Sequence, residues 1–235
     1  MPTSTLFRWS KVKPSGGNEK LRKTLVKLAK GGIVGFSIPA FKSSTGFVTC
    51  PRAGICAGVC YARQGRYVMA SVASVREHNL AKALGYDGNA YALGEALVRD
   101  LSTMRASVVR VHDSGDFFAP WYFEAWCYAA SQFEGTKRFY AYTKSIPVDW
   151  RKVPPNFSIV QSLGGTRDSE ADPSRPIARI FPTMEDKAKA LDSGVWVDGD
   201  ASDIPAIVGE PRIAFCYHGT RNITLAQIKA FQGKG

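Results

Sequence analysis

Apolar residues fall along this chain in short blocks of two kinds, and the two kinds alternate. Runs rich in β-branched and aromatic residues, bounded by Gly, Pro, Asn or Asp, predict strands. They are GIVGFSIP (32–39), SVVRVH (107–112), RFYAYT (138–143), NFSIVQSL (156–163), IARIF (177–181), VWVDGD (195–200) and RIAFCYHG (212–219). Stretches with apolar residues three or four apart predict helices between them. NEKLRKTLVKLAKGG (18–32) is the first, stopped by Gly31 and Gly32. Two more, at about 65–84 and 88–105, are separated by the turn GYDGN. Pro120 opens PWYFEAWCYAASQF (120–133), and Thr183 with Asp186 caps TMEDKAKALDSG (183–194). KSIPVDWRKVPP (144–155) has room for one short helix, and TLAQIKAFQ (224–232) is a closing helix.

Strands mostly separated by helices imply the α/β class, with a mainly parallel sheet and right-handed crossovers. Seven consecutive strand-like runs in 235 residues point to a β/α, TIM-like barrel, closed or incomplete. The expected layout is a single domain over 1–235: a basic N-terminal extension and helix over 1–31, and the barrel over 32–235. No G-x-G-x-x-G or Walker A loop occurs, so an open nucleotide-binding sheet lacks its usual signature.

Charge adds a second expectation. The chain carries a formal net charge of +11. Much of it lies near the start, where Arg8, Lys11, Lys13, Lys20, Arg22, Lys23, Lys27 and Lys30 face only Glu19. A basic N-terminal helix attracts nucleic acid or another polyanion, or an acidic redox partner. The same pattern also describes a solvated face, because Leu21, Leu25 and Leu28 make this helix amphipathic. No apolar stretch has membrane-spanning length, and the N-terminus lacks the hydrophobic region of a signal peptide. A cytoplasmic protein with reduced thiols is expected.

In such a compartment clustered cysteines read as ligands. Cys50, Cys56 and Cys60 lie on one loop, TCPRAGICAGVCYA, and only Cys127 and Cys216 lie elsewhere. The loop follows the first barrel strand, and Cys216 lies near the end of the last. Closure of a barrel makes those strands neighbours and brings four thiolates to one rim, where barrels build their sites. Four thiolates suit a [4Fe–4S] cluster with a structural or electron-transfer role. Zinc is the alternative, with His218 replacing Cys216 in a Cys3His set. Cys127, among aromatics in a helix, reads as core. Strand ends also place His112, Asp113, Ser114, Asp116, Tyr142, Lys144 and His218 at the mouth, as supports for the loop or contacts for a ligand. For His112–Asp116 a self-satisfied turn is the competing reading.

The phrases TCPRAGICAGVCYARQGRY, VRVHDSGDFF and FYAYTKS resemble the actinobacteriophage "gene product eighty-eight" domain family, from about Phe36 to Ser145 and more loosely to Cys216. That resemblance implies a phage-encoded protein acting in a bacterial cytoplasm. The layout is also similar to radical S-adenosylmethionine barrels, which carry a three-cysteine loop after the first strand and a small acidic motif after the second; SGDF (114–117) stands in that position. Here the spacing is C-x5-C-x3-C rather than C-x3-C-x2-C, and Tyr61 follows the last cysteine instead of preceding it. Ligation by Cys216 would also close the iron that S-adenosylmethionine must reach.

Overall fold

The computed structural model describes residues 6–11, 20, 23, 24 and 31–217. Eight strands form one sheet: β1 (Ser10–Lys11), β2 (Ile33–Phe36), β3 (Val108–Val111), β4 (Arg138–Thr143), β5 (Phe157–Ser162), β6 (Ile177–Phe181), β7 (Val197–Asp198) and β8 (Arg212–Cys216). Their spatial order is β1-β2-β3-β4-β5-β6-β8-β7. β1 runs antiparallel to β2, and every other neighbouring pair is parallel. Each predicted strand run holds one of these strands, although VWVDGD contributes only Val197–Asp198.

The order departs from a barrel wound in sequence. β8 inserts between β6 and β7, and among the described residues no ladder joins it to β2. The reason is that both partners are already used. β1 takes the outer edge of β2 through Ser10 and Lys11, and β6 and β7 flank β8. The sheet is therefore open in its pairing. β1 went unpredicted because two exposed polar residues carry no apolar period.

Alternation along the strands sorts side chains onto two faces. Val34, Phe36, Val109, Val111, Phe139, Ala141, Phe157 and Ile159 face a helical layer built from α2 (Ala70–Leu84), α3 (Ala90–Ser102) and α4 (Pro120–Ser131). Trp126, Leu97 and Leu101 from those helices are fully buried against that face. The intervening residues Ile33, Val108, Tyr140, Val160, Ala178 and Ile213 pack on the other side with Ala206 and Ile207 of the short helix α6 (Ile204–Val208).

Local signals act as expected where hydrogen bonding sets them. Pro120 begins α4. Thr183 caps α5 (Met184–Asp192), its hydroxyl accepting from the Asp186 N–H at 3.1 Å. Residues 65–68, expected as the start of a helix, form a 3-10 turn before α2, following another at Tyr61–Arg63. The chain before β1 is tied down by Asp100 of α3, which accepts from the N–H groups of Leu6 and Phe7 at 2.8 Å and from Trp9 Nε1 at 3.0 Å. No helix among the described residues is long and apolar enough to cross a membrane.

The closing helix at 224–232, His218, and all of the N-terminal helix except Lys20, Lys23 and Thr24 lie outside the described residues.

Candidate functional site

Parallel strands end on one edge, and the segments leaving that edge enclose a cavity of about 380 Å³. Ala40 and Phe41 follow β2, the His112–Asp116 segment follows β3, and Tyr142, Thr143 and Lys144 end β4. Ser162, Ile180, Asp200, Phe215 and Cys216 complete the wall from the remaining strands. The cysteine loop, with the short helix α1 (Cys56–Val59), covers this edge.

Two glycine contacts seat that cover. Gly54 adopts φ +53°, and a Cβ there would lie 2.8 Å from the Gly165 carbonyl carbon. The loop is thereby pressed against the turn after β5, where the Arg52 carbonyl accepts from Thr166 N–H at 3.1 Å. Gly115 adopts φ +86°, and a Cβ there would lie 2.2 Å from Ile38 Cγ1. Such conformations and approaches favour glycine.

Asp116 ties β3 to β4. One of its oxygens accepts from the Thr143 hydroxyl at 2.5 Å and the Phe117 N–H at 2.7 Å, and the other from the Lys144 N–H at 2.8 Å. Burial raises its pKa although these donors favour the charge. Ser114 donates to the Ile38 carbonyl at 2.8 Å. The carboxylate of Asp113 accepts from Ser37 and, at 3.4 Å, from Tyr67, while its carbonyl accepts from the Tyr61 hydroxyl at 2.5 Å. Lys144 Nζ donates to the carbonyls of Ser162 and Leu163 at 2.9 and 2.7 Å and to the Ser162 hydroxyl at 3.0 Å. Thus Asp116, Ser114 and Lys144 hold the rim together.

His112 has a different place. Its backbone lines the cavity with φ +67°, while its ring is buried against Phe36, Phe117 and Trp126. Nε2 lies 2.9 Å from the Tyr122 hydroxyl, and burial lowers its pKa to about 3. The imidazole is a packing residue of the helical side.

The three loop cysteines act on one another. Interaction with Cys60, assisted by the Lys144 charge, lowers the pKa of the Cys56 thiol, and the same interaction raises that of Cys60. Burial, with Asp116 and Cys56 adding to it, pushes Cys50 up to about 12, although the Phe41 N–H donates to its sulfur at 3.2 Å. Cys216 lines the same cavity on the β8 side. After burial, the groups that act most on it are Asp200, Lys187 and Tyr217, and its N–H donates to Asp200 at 2.8 Å. Among the described residues no three His, Cys, Asp or Glu side chains surround one point as a single-ion site would require. Cys127 is buried in α4, as its aromatic setting suggested.

Below the cysteines lies an ionic group that the sequence reading passed over. Asp203 is buried and pairs with Lys20 at 2.7 Å and Arg110 at 3.3 Å, and it accepts from the Tyr140 hydroxyl at 2.7 Å. Burial opposes its charge, but the two cations outweigh that and lower its pKa. Lys20 also sits 4.3 Å from the Phe215 ring centroid. This lysine of the basic helix therefore turns its charge inward, against Asp203. Arg110, a lone charge within the apolar run VVRV, was the available signal.

These features define an α/β protein with a thiol-lined cavity at the C-terminal edge of an open, mainly parallel sheet. A family model described as Gene product 88 matches residues 9–229, and the chain belongs to that family. It is similar to the Gene 88 protein of Mycobacterium phage D29, with 33% identity over 137 residues covering 54% of this chain and 56% of that protein. The match thus spans about half the length of that relative. No solved structure matches.

Proposed function

We propose that this phage-type protein holds a [4Fe–4S] cluster through Cys50, Cys56 and Cys60 and presents its fourth iron to a small ligand in the cavity, as a diverged radical S-adenosylmethionine-like enzyme. The observation that carries this reading is the placing of the cysteines: three lie on one loop covering the cavity, whereas Cys216 lines its β8 side, with its N–H on Asp200 and its thiol on the Tyr217 carbonyl. Three soft donors on one loop beside an open space suit a body larger than a single ion. When bound, such a cluster supplies single electrons to the ligand on its open iron.

The chain's own contribution is positional. Lys144 places a fixed cation near Cys56 and favours thiolate there. Asp116 fastens the segment after β3 against β4, which holds Asp113 and Ser114 in the cavity wall. The rings of Phe41, Tyr142 and Phe215 give part of the cavity an aromatic wall. The incomplete-barrel reading is supported by this shared edge, which collects functional groups from every parallel strand.

Anaerobic purification with iron, sulfide and zinc analysis tests the proposal. About four irons per chain are expected, with an electron paramagnetic resonance spectrum altered by S-adenosylmethionine. Stoichiometric zinc without iron overturns the cluster, and an unaltered spectrum overturns the enzymatic role. The second reading is a closed four-cysteine cluster for electron transfer, favoured by the position of Cys216 on the same cavity. It requires Cys216→Ser to lose or alter the cluster.

A further inference from the structure

The loop covering the cavity carries exposed basic side chains, although Asp113, Asp116 and Asp200 also line the cavity. Residues 31–76 contain five Lys and Arg and not one Asp or Glu. Within that stretch Lys42, Arg52, Arg63 and Arg66 are exposed around the cysteine loop. Two of them mark the rim directly: the Arg63 guanidinium lies 5.3 Å and the Lys42 ammonium 5.5 Å from the ring centroid of Phe41, a cavity-lining residue. Beside them Tyr61, also on the cavity wall, leaves half its surface exposed, with its hydroxyl anchored on the Asp113 carbonyl. Glu77 is the first acidic side chain after this stretch, and it is occupied by the Ser44 N–H at 2.7 Å.

We infer that this mouth binds single-stranded nucleic acid, its phosphates on Lys42, Arg63 and Arg66 and one base stacked on Tyr61. Cations tracking a backbone beside an accessible aromatic face are the elements of sequence-tolerant single-strand binding. A duplex reader needs a helix or ribbon that enters a groove, whereas this rim is made of 3-10 turns and loops. The surface differs from the basic N-terminal helix and does not depend on a cluster being bound.

Fluorescence anisotropy with a labelled mixed-sequence single-stranded oligonucleotide tests it on the full chain, with iron content recorded for every sample. Lys42→Glu/Arg66→Glu leaves the Arg63–Ala57 hydrogen bond intact and is expected to weaken binding at least tenfold. The salt dependence should become shallower by about 0.7 in log–log slope per contact removed. Tyr61→Ala should weaken single-strand binding without changing that slope, and Tyr61→Phe should restore it. Arg105→Glu/Arg138→Glu, an equal charge change at the opposite end of the strands, should leave more of the affinity. Circular dichroism confirms folding. Equal losses from both double variants, or competition by heparin with no effect of Tyr61→Ala, would overturn the inference in favour of general polyanion attraction. Iron analysis is independent of these readouts, so failure here and failure of the cluster proposal are separable.

Discussion

Gly115 and His112, one and four residues before Asp116, set the backbone of the rim with positive φ angles. A Cβ at Gly115 would meet Ile38 at 2.2 Å in a left-handed conformation, so Gly115→Ala is expected to cost about 1–3 kcal/mol. A shifted urea midpoint at constant slope would show it. His112 gives the rim a pH response. Its folded pKa of about 3 lies below its ordinary 6.5, so the unfolded chain takes up the proton first. The stabilisation is complete above about pH 6.5 and declines by about 1.4 kcal/mol per unit as the pH falls toward the folded value. Urea titrations at pH 7 and pH 5 should differ accordingly, and His112→Phe should flatten that difference. The position of His112 after a strand was legible; the direction of its ring was not, because the aromatic pocket of Phe36, Phe117 and Trp126 comes from three separate segments.

Elements are joined across the inner face by one buried carboxylate. Asp203, just before α6, links β3 through Arg110, β4 through Tyr140 and the N-terminal segment through Lys20 and the Thr24 hydroxyl, which accepts its N–H at 2.8 Å. Removing it leaves buried cations without a partner, which costs far more than a surface pair. Asp203→Ala should therefore destabilise by about 3–5 kcal/mol, read as a lower thermal midpoint, and Asp203→Ala with Arg110→Met should recover part of the loss. Because its pKa is depressed below the ordinary 3.8, Asp203 contributes stability above that value and loses it as the pH falls further. Helices α2 to α4 were readable from their apolar period. The ionic link was not, since its members lie far apart in sequence and only Arg110 looks out of place in its own strand.

For the whole molecule the common edge of the parallel strands matters more than closure. The Cys50–Cys60 loop and Cys216 reach one cavity although β2 and β8 do not pair. On the three-thiolate proposal, Cys50→Ser, Cys56→Ser and Cys60→Ser should each lower bound iron at least severalfold, while Cys216→Ser retains it. Iron and sulfide assays on anaerobic samples measure this. Equal loss from Cys216→Ser would support the closed cluster.

The sequence by itself determined the alternation of strands and helices, the parallel sheet, the three-cysteine loop and its place after β2, because periodicity, turn residues and spacing are local properties. Tertiary structure alone decided the strand order, the placing of Cys216 on the same cavity as the loop cysteines without pairing of β2 and β8, the burial of His112 and the Lys20–Asp203–Arg110 group. Each of these depends on which edges and faces are already occupied when distant segments meet, and local pattern carries no record of that competition.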